Sequence, residues 1–282
     1  MTLTRIPIIY HERCLGYNIP GHPESPERIS QTKAHLEVKG YQFHIPDPCA
    51  IEDITSVHTQ AHVEGLKTGN FFDLDTPSVP GIYEIARISC GGAILASEVL
   101  GFSLTRPPGH HATRRQIMGF CYLNNIAIAV AKLVKKGERI AILDIDCHHG
   151  NGTEDIFAYN REVFYCSLHQ SPLYPGTGLA SYENVFNLPL PPGIDGKGYL
   201  RYLDQALNRI SDFNPDRLAI SAGFDTFRSD PLTNLGLEVD DYYTIGKMIA
   251  ELKVPVFSVL EGGYASDLPL LIENYLRGLC GV

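Results

Sequence analysis

Three apolar runs in this chain each end abruptly on a cluster of reactive side chains, and that pattern limits the folds open to it. Residues 139–143 run into Asp144-Ile145-Asp146-Cys147-His148-His149-Gly150-Asn151. Residues 217–221 run into Ala222-Gly223-Phe224-Asp225, and 254–260 run into Glu261-Gly262-Gly263-Tyr264. Between such runs lie longer amphipathic stretches. The spacing predicts strands over 6–10, 102–105, 139–143, 162–168, 217–221 and 254–260. It predicts helices over 25–39, 80–100, 124–136, 198–213, 240–252 and 268–279. Strands alternating with helices of this length imply βαβ units around a mostly parallel sheet. The expected fold class is α/β: a single three-layer α/β/α domain over residues 1–282, with a mostly parallel central sheet. Ligands in such folds bind outside the carboxyl ends of the strands, where the clusters fall.

Composition narrows the function classes. With 44% hydrophobic and 20% charged residues, the chain can bury a core and is not of disordered type. A net charge of −9 argues against binding nucleic acid through its phosphates. The seven cysteines are odd in number and contain no Cys-x-x-Cys pair, so a reducing compartment, the cytoplasm, is expected. Residues 1–10 lack the apolar region of a signal peptide, and no apolar run reaches membrane-spanning length. No membrane partner is expected.

The clusters point to metal-assisted chemistry. If the strand continues past residue 143, Asp144, Asp146 and His148 share one side, because side chains alternate with period two. Paired carboxylates at a buried strand end are costly without a cation or hydrogen bonds. A carboxylate and an imidazole two residues apart suit zinc, and Asp225 can complete a three-ligand set. Tandem His110 and His111 follow Pro107-Pro108-Gly109 in a stiff loop, where adjacent imidazoles can serve as acid and base. Gly262 and Gly263 free the backbone so that Tyr264 can donate to an oxyanion. Taken singly, each cluster also reads blandly, as a salt-bridged strand end, a turn cap, a core histidine or a surface tyrosine.

Taken together the motifs resemble the histone deacetylase family of the arginase/deacetylase fold. The matching stretches are Pro-Pro-Gly-His-His, Asp-x-Asp-x-His-His-Gly-Asn-Gly-Thr, Ser-Leu-His-x5-Pro-Gly-Thr-Gly, Ser-Ala-Gly-Phe-Asp and Leu-Glu-Gly-Gly-Tyr, in family order from residue 106 to 264. His22 to Arg28 adds a fitting amino-terminal stretch. The resemblance implies one zinc on Asp146, His148 and Asp225. It implies His111 as general base and then acid, with His110 its electrostatic partner, oriented by Asp144. It implies Tyr264 polarising the scissile carbonyl, and a tunnel walled by Gly119, Phe120 and Tyr174. It also implies potassium near Asp144, Asp146, His148, Ser167 and Leu168. Asn151, where class I members usually carry Asp, resembles the class II and prokaryotic deacetylase-like enzymes and would be a neutral partner for His111. The implied activity is zinc-dependent hydrolysis of an acetylated amine, N6-acetyl-lysine in a protein or peptide first, an acetylpolyamine or other small acyl amine second. The rim loops 71–80 and 171–178 should decide among substrates, with Asp73 and Asp75 suited to attract a cation.

Three other readings compete. A two-manganese ureohydrolase needs a further carboxylate where Gly150 stands and another close after Asp225, where the next acid is Asp230. A cysteine hydrolase would use Cys147 or Cys121, but Cys147 has the wrong parity to share a face with Asp146 and His148. A non-catalytic acyl-ligand binder would need a broken site, and the expected positions are intact.

Overall fold

The computed structural model describes residues 5–281. Residues 1–4 and 282, part of the amino-terminal reading and of the 1–282 span, lie outside the described residues. The strands are β1 (Ile8–Ile9), β2 (Phe43–His44), β3 (Phe102–Ser103), β4 (Ile140–Asp144), β5 (Val163–Gln170), β6 (Val185–Leu190), β7 (Arg217–Ala222) and β8 (Val256–Leu260). They form one eight-stranded sheet in the order β2-β1-β3-β8-β7-β4-β5-β6, and every strand pair is parallel. Each crossover therefore carries chain from one end of the sheet to the other. The helices between strands are α1 (Glu27–Val38), α2 (Ile51–Thr55), α3 (Gln60–Thr68), α4 (Ile82–Val99), α5 (Asn125–Val134), α6 (Asn151–Phe157), α7 (Gly196–Phe213) and α8 (Val239–Glu251), and α9 (Leu268–Cys280) follows the last strand.

The central strands are apolar on both faces. All of β4 and β5 is buried, as expected for a parallel sheet covered on two sides. α4 and α5 pack together against β8, β4 and β7, while α7, α8, α9 and α1 lie side by side in a second row. Local chemistry sets the helix ends. Asn124 caps α5 by accepting from the Ala127 N–H, and Asp195 caps α7 by accepting from the Gly198 N–H. Among the described residues no helix is long and apolar enough to cross a membrane.

Most predicted elements fall within a few residues of their expected bounds. The 25–39 helix starts at Glu27, and the 162–168 strand extends to Gln170. The condition under which Asp144, Asp146 and His148 would share a side, a strand continuing through His148, is not met. β4 stops at Asp144, whose Oδ1 accepts the Asp146 N–H at 3.2 Å, and the chain bends through 146–148. A side chain that takes up the next ladder donor ends the strand there. α2, α3, α6, β2 and β6 had no strong periodic signal, being short or, in β6, carrying Pro189 and a half-exposed Phe186.

Candidate active site

β3, β8, β7 and β4 are consecutive neighbours in the sheet. Each is followed by one of the four clusters, so all four meet in one crevice beyond the carboxyl ends of the strands. A cavity of about 260 Å³ opens there, reaching His110, His111, Asp146, His148 and Tyr264. A wider groove of about 660 Å³, lined by His62, Phe71, Arg115 and Met118, lacks any such cluster of ligand groups.

Asp146, His148 and Asp225 each offer one ligand atom within 4.8 Å of the others. His148 Nδ1 lies 3.1 Å from Asp146 Oδ1 and 2.8 Å from Asp225 Oδ2. The opposite oxygens are held by backbone donors: the Gly262 N–H donates to Asp146 Oδ2 at 2.7 Å, and the Cys147 N–H to Asp225 Oδ1 at 2.8 Å. Such outer contacts orient ligands. A Cβ on Gly262 would sit 2.6 Å from Asp146 Oδ2, which explains glycine at that position. Burial and the neighbouring Asp146 charge push Asp225 up to about 7. Burial opposes a charge on His148, but its hydrogen bonds to Asp146 and Asp225 raise it to about 10. Two carboxylates around a proton-holding imidazole are the donor set that a divalent cation satisfies by displacing that proton.

Alternation along one strand is not what groups these residues. Asp144 turns to His110 instead, with Oδ2 3.1 Å from His110 Nδ1. His110 Nε2 lies 3.8 Å from Asp146 Oδ1. Burial works against its charge, yet Asp146 and Asp144 raise His110 to about 10. His111 is the opposite case. Its Nδ1 sits 2.8 Å from Asn151 Oδ1, a neutral acceptor, so Nδ1 donates and Nε2 is left with a lone pair. Asn151 is oriented by its own donation to Met118 Sδ. Burial first, then His110 and His148, hold His111 well below the ordinary imidazole value. The pair is thus one charged and one neutral imidazole, with ring centroids 4.0 Å apart.

The loop that carries the histidines is fastened from two sides. The Gly152 and Thr153 N–H groups at the start of α6 donate to the His110 carbonyl. Glu261, fully buried, accepts from the Gly109 and His110 N–H groups at 2.7 and 3.1 Å. Burial pushes its carboxyl up to about 7. Sequence reasoning gave Glu261 no role, although an acid closing an apolar strand was the available signal. Arg28 was likewise missed. It donates to the Gly263 and Glu261 carbonyls and stacks 4.8 Å over the Tyr264 ring. Arg28 is paired with Glu24, which also takes the fully buried Arg106. The His22–Arg28 stretch therefore braces the tyrosine loop.

Tyr264 is walled by Phe120 at 5.9 Å, edge to face. Burial raises its phenol well above the ordinary value, which keeps the proton available for donation. Tyr174 stands edge-on to His111 at 5.2 Å on the other side. Gly119 has φ +58°, and a Cβ there would meet His111 Cδ2 at 2.6 Å. Phe120 follows with φ +68°, and its N–H donates to Thr76 Oγ1. Of the rim loops, Asp75, Leu173 and Tyr174 line the cavity, whereas Asp73 lines the wider groove and caps the Asp75 N–H. Ser167 pairs directly with Asp144 across β4 and β5, with Leu168 next to it. A Cβ on Gly150 would lie 2.1 Å from Asp144 Oδ2, so no side chain fits where a second-metal carboxylate would stand. Cys147 and Cys121 are buried, and desolvation raises both thiols well above the ordinary value. Neither has the activated thiolate that a cysteine hydrolase needs.

Comparison with known proteins agrees with this geometry. The sequence pattern of the histone deacetylase domain matches residues 22–277. A probable deacetylase of Archaeoglobus fulgidus is 38% identical over 299 residues, covering 95% of this chain and 83% of the relative. The crystal structure of an acetylpolyamine aminohydrolase from Burkholderia pseudomallei superposes with a TM-score of 0.90 at 27% identity, covering 97% of this chain and 98% of that one. The HD domain of HDA15 superposes with a TM-score of 0.91 at 30% identity, covering 99% and 89%. A match that spans nearly every described element, on an all-parallel sheet whose strand ends converge on these motifs, means that the chain belongs to the histone deacetylase family, a family of deacetylases and related amidohydrolases.

Proposed function

We propose that this protein is a zinc-dependent deacetylase that releases acetate from an acetylated amine, N6-acetyl-lysine in a protein or peptide first. The observation that carries this reading is one cavity that reaches His110, His111, Asp146, His148 and Tyr264, with Asp225 buried beside Asp146 and His148 as the third member of the ligand set. Asp146, His148 and Asp225 would hold one zinc per chain, which supplies Lewis-acid polarisation and a water of lowered pKa. His111, with a free Nε2, accepts the proton of the attacking water and returns it to the leaving amine. His110, kept charged by Asp144 and Asp146, stays a cationic neighbour through both transfers. Tyr264 donates to the carbonyl oxygen as negative charge develops there. Gly119, Phe120 and Tyr174 exclude water and admit a long thin acyl amine. Potassium near Asp144, Ser167 and Leu168 belongs to the same proposal. We place the reaction in the cytoplasm and read the chain as one catalytic domain.

Acetylated polyamine is the second reading, favoured by the Burkholderia structural relative and by Asp75 at the cavity mouth. The test is a panel of acetyl-lysine peptides and acetylated polyamines with zinc-loaded protein, with and without a chelator. Chelator-sensitive turnover, higher kcat/KM on the peptides, is the expected result. Preference for polyamines would favour the second reading, and binding without turnover would make the protein an acyl-ligand binder.

The pH profile follows from His111. Because burial and two neighbouring imidazoles oppose its protonation, the base stays neutral as pH falls through 6.5. The acidic limb of kcat/KM should therefore lie below the ordinary imidazole value of about 6.5. Asn151→Asp puts a carboxylate on Nδ1 and should move that limb upward. A limb unmoved by this change would remove His111 as the titrating base.

A further inference from the structure

Asp230 is a buried acid that no step of the proposed reaction uses. It lies in the segment after β7 and is 6% exposed. Its two oxygens have separate tasks. Oδ1 accepts the Leu232 N–H at 2.9 Å, and Oδ2 accepts the Tyr264 N–H at 2.7 Å. Leu232 and Tyr264 come from different strand-end loops, yet both line the active-site cavity. One carboxylate thus ties two tunnel walls through their backbones. Backbone bonds to an ionised acceptor are short and strong, and among the described residues neither N–H has another partner. Other ties on the tyrosine loop run from Arg28 to the Gly263 and Glu261 carbonyls and from the Gly262 N–H to Asp146, and among the described residues the Tyr264 N–H is held by Asp230 alone.

We infer that Asp230 is a positioning residue that sets where the Tyr264 phenol stands relative to Leu232 in the cavity wall. The inference rests on the deacetylase reading for its kinetic part and on the hydrogen bonds alone for its structural part. Asparagine at 230 has one acceptor and one donor where two acceptors are needed. Its NH2 must face one of the two N–H groups, so one wall is released.

The test is Asp230→Asn, alone and combined with Tyr264→Phe, in the zinc-loaded protein. Kinetically, Asp230→Asn should lower kcat by about 10- to 100-fold, within the range of losing one oriented donor. Zinc stoichiometry should be unchanged. In the Tyr264→Phe background the same change should cost less than about threefold, because a phenol already removed cannot be mispositioned. Equal losses in both backgrounds, or loss of zinc, would overturn the inference. Structurally, hydrogen exchange should accelerate at the Leu232 or Tyr264 amide and stay unchanged in β4. Unchanged exchange at both amides would also overturn it. This arm needs no turnover, so it still reads the positioning role if the wild type proves inactive on every acylated amine, a result that would sink the activity alone. If Asp230→Asn is not recovered folded, Asp230→Ser removes the carboxylate while leaving room for water, and carries the same two arms.

Discussion

Asp225→Ala should lose metal and turnover together. Asp225 is fully buried, and its Oδ2 is 2.8 Å from His148 Nδ1. Without it, Asp146 and His148 remain as a two-ligand set, short of the three protein ligands usual for catalytic zinc. A metal held there would contribute several kcal/mol of charge stabilisation, so kcat/KM should fall by about 10³-fold or more. The measurement is zinc per chain by elemental analysis after dialysis, with turnover on an acetyl-lysine peptide. One complication is that Asp225 Oδ1 also accepts the Cys147 N–H, and leaving that donor bare costs about 1–3 kcal/mol of stability. Asp225→Asn serves as the companion, since its carbonyl can keep that bond while the charge is gone. If Asp225→Asn is folded and zinc-poor, the loss lies at the ligand. Full zinc stoichiometry in both variants would remove Asp225 from the metal set.

Tyr264→Phe should do the reverse: keep metal and fold, and lose rate. The ring packs against Phe120 and under Arg28, contacts that phenylalanine preserves. Only the hydroxyl goes, and burial holds that hydroxyl in its donating form. Removing one donor aimed at a developing oxyanion costs about 2.7–4 kcal/mol, or roughly 10²- to 10³-fold in kcat. Because the bond forms mainly in the transition state, kcat and kcat/KM should fall by similar factors while KM changes little. A raised KM at constant kcat would recast Tyr264 as a ground-state binding residue.

The residues behind both predictions were readable before any coordinates, but the reasons for their grouping were not. Asp144, Asp146 and His148 seemed to share a face by strand alternation. In the structure the strand ends at Asp144, and the three residues are sorted by separate hydrogen bonds: Asp144 to His110, and His148 to both Asp146 and Asp225. Asn151 was read as the neutral partner of His111, and its amide oxygen is 2.8 Å from that ring. Glu261, Arg28 and Asp230 were given no role in the reaction, because the backbone groups that Glu261 and Arg28 hold, and the Tyr264 N–H held by Asp230, lie far away in sequence. Arg28 holds carbonyls 233 and 235 residues away, and Glu261 reaches back 152 residues to Gly109. Single-residue patterns carry no trace of such pairings.

By itself the sequence determined the α/β class, because apolar runs alternating with amphipathic stretches can bury both faces of a sheet only beneath helices. It determined the chemical inventory too, because carboxylates and imidazoles ending buried strands must be compensated. Strand order was decided only by the tertiary structure. Runs 140–144, 217–222 and 256–260 are widely separated in the chain, yet they are adjacent as β4, β7 and β8. That adjacency follows from how the intervening helices pack on the sheet, a non-local outcome. It turns clusters that were individually ambiguous into a single cavity, and it pushes two neighbouring histidines in opposite directions, His110 toward the charged form and His111 toward the neutral one.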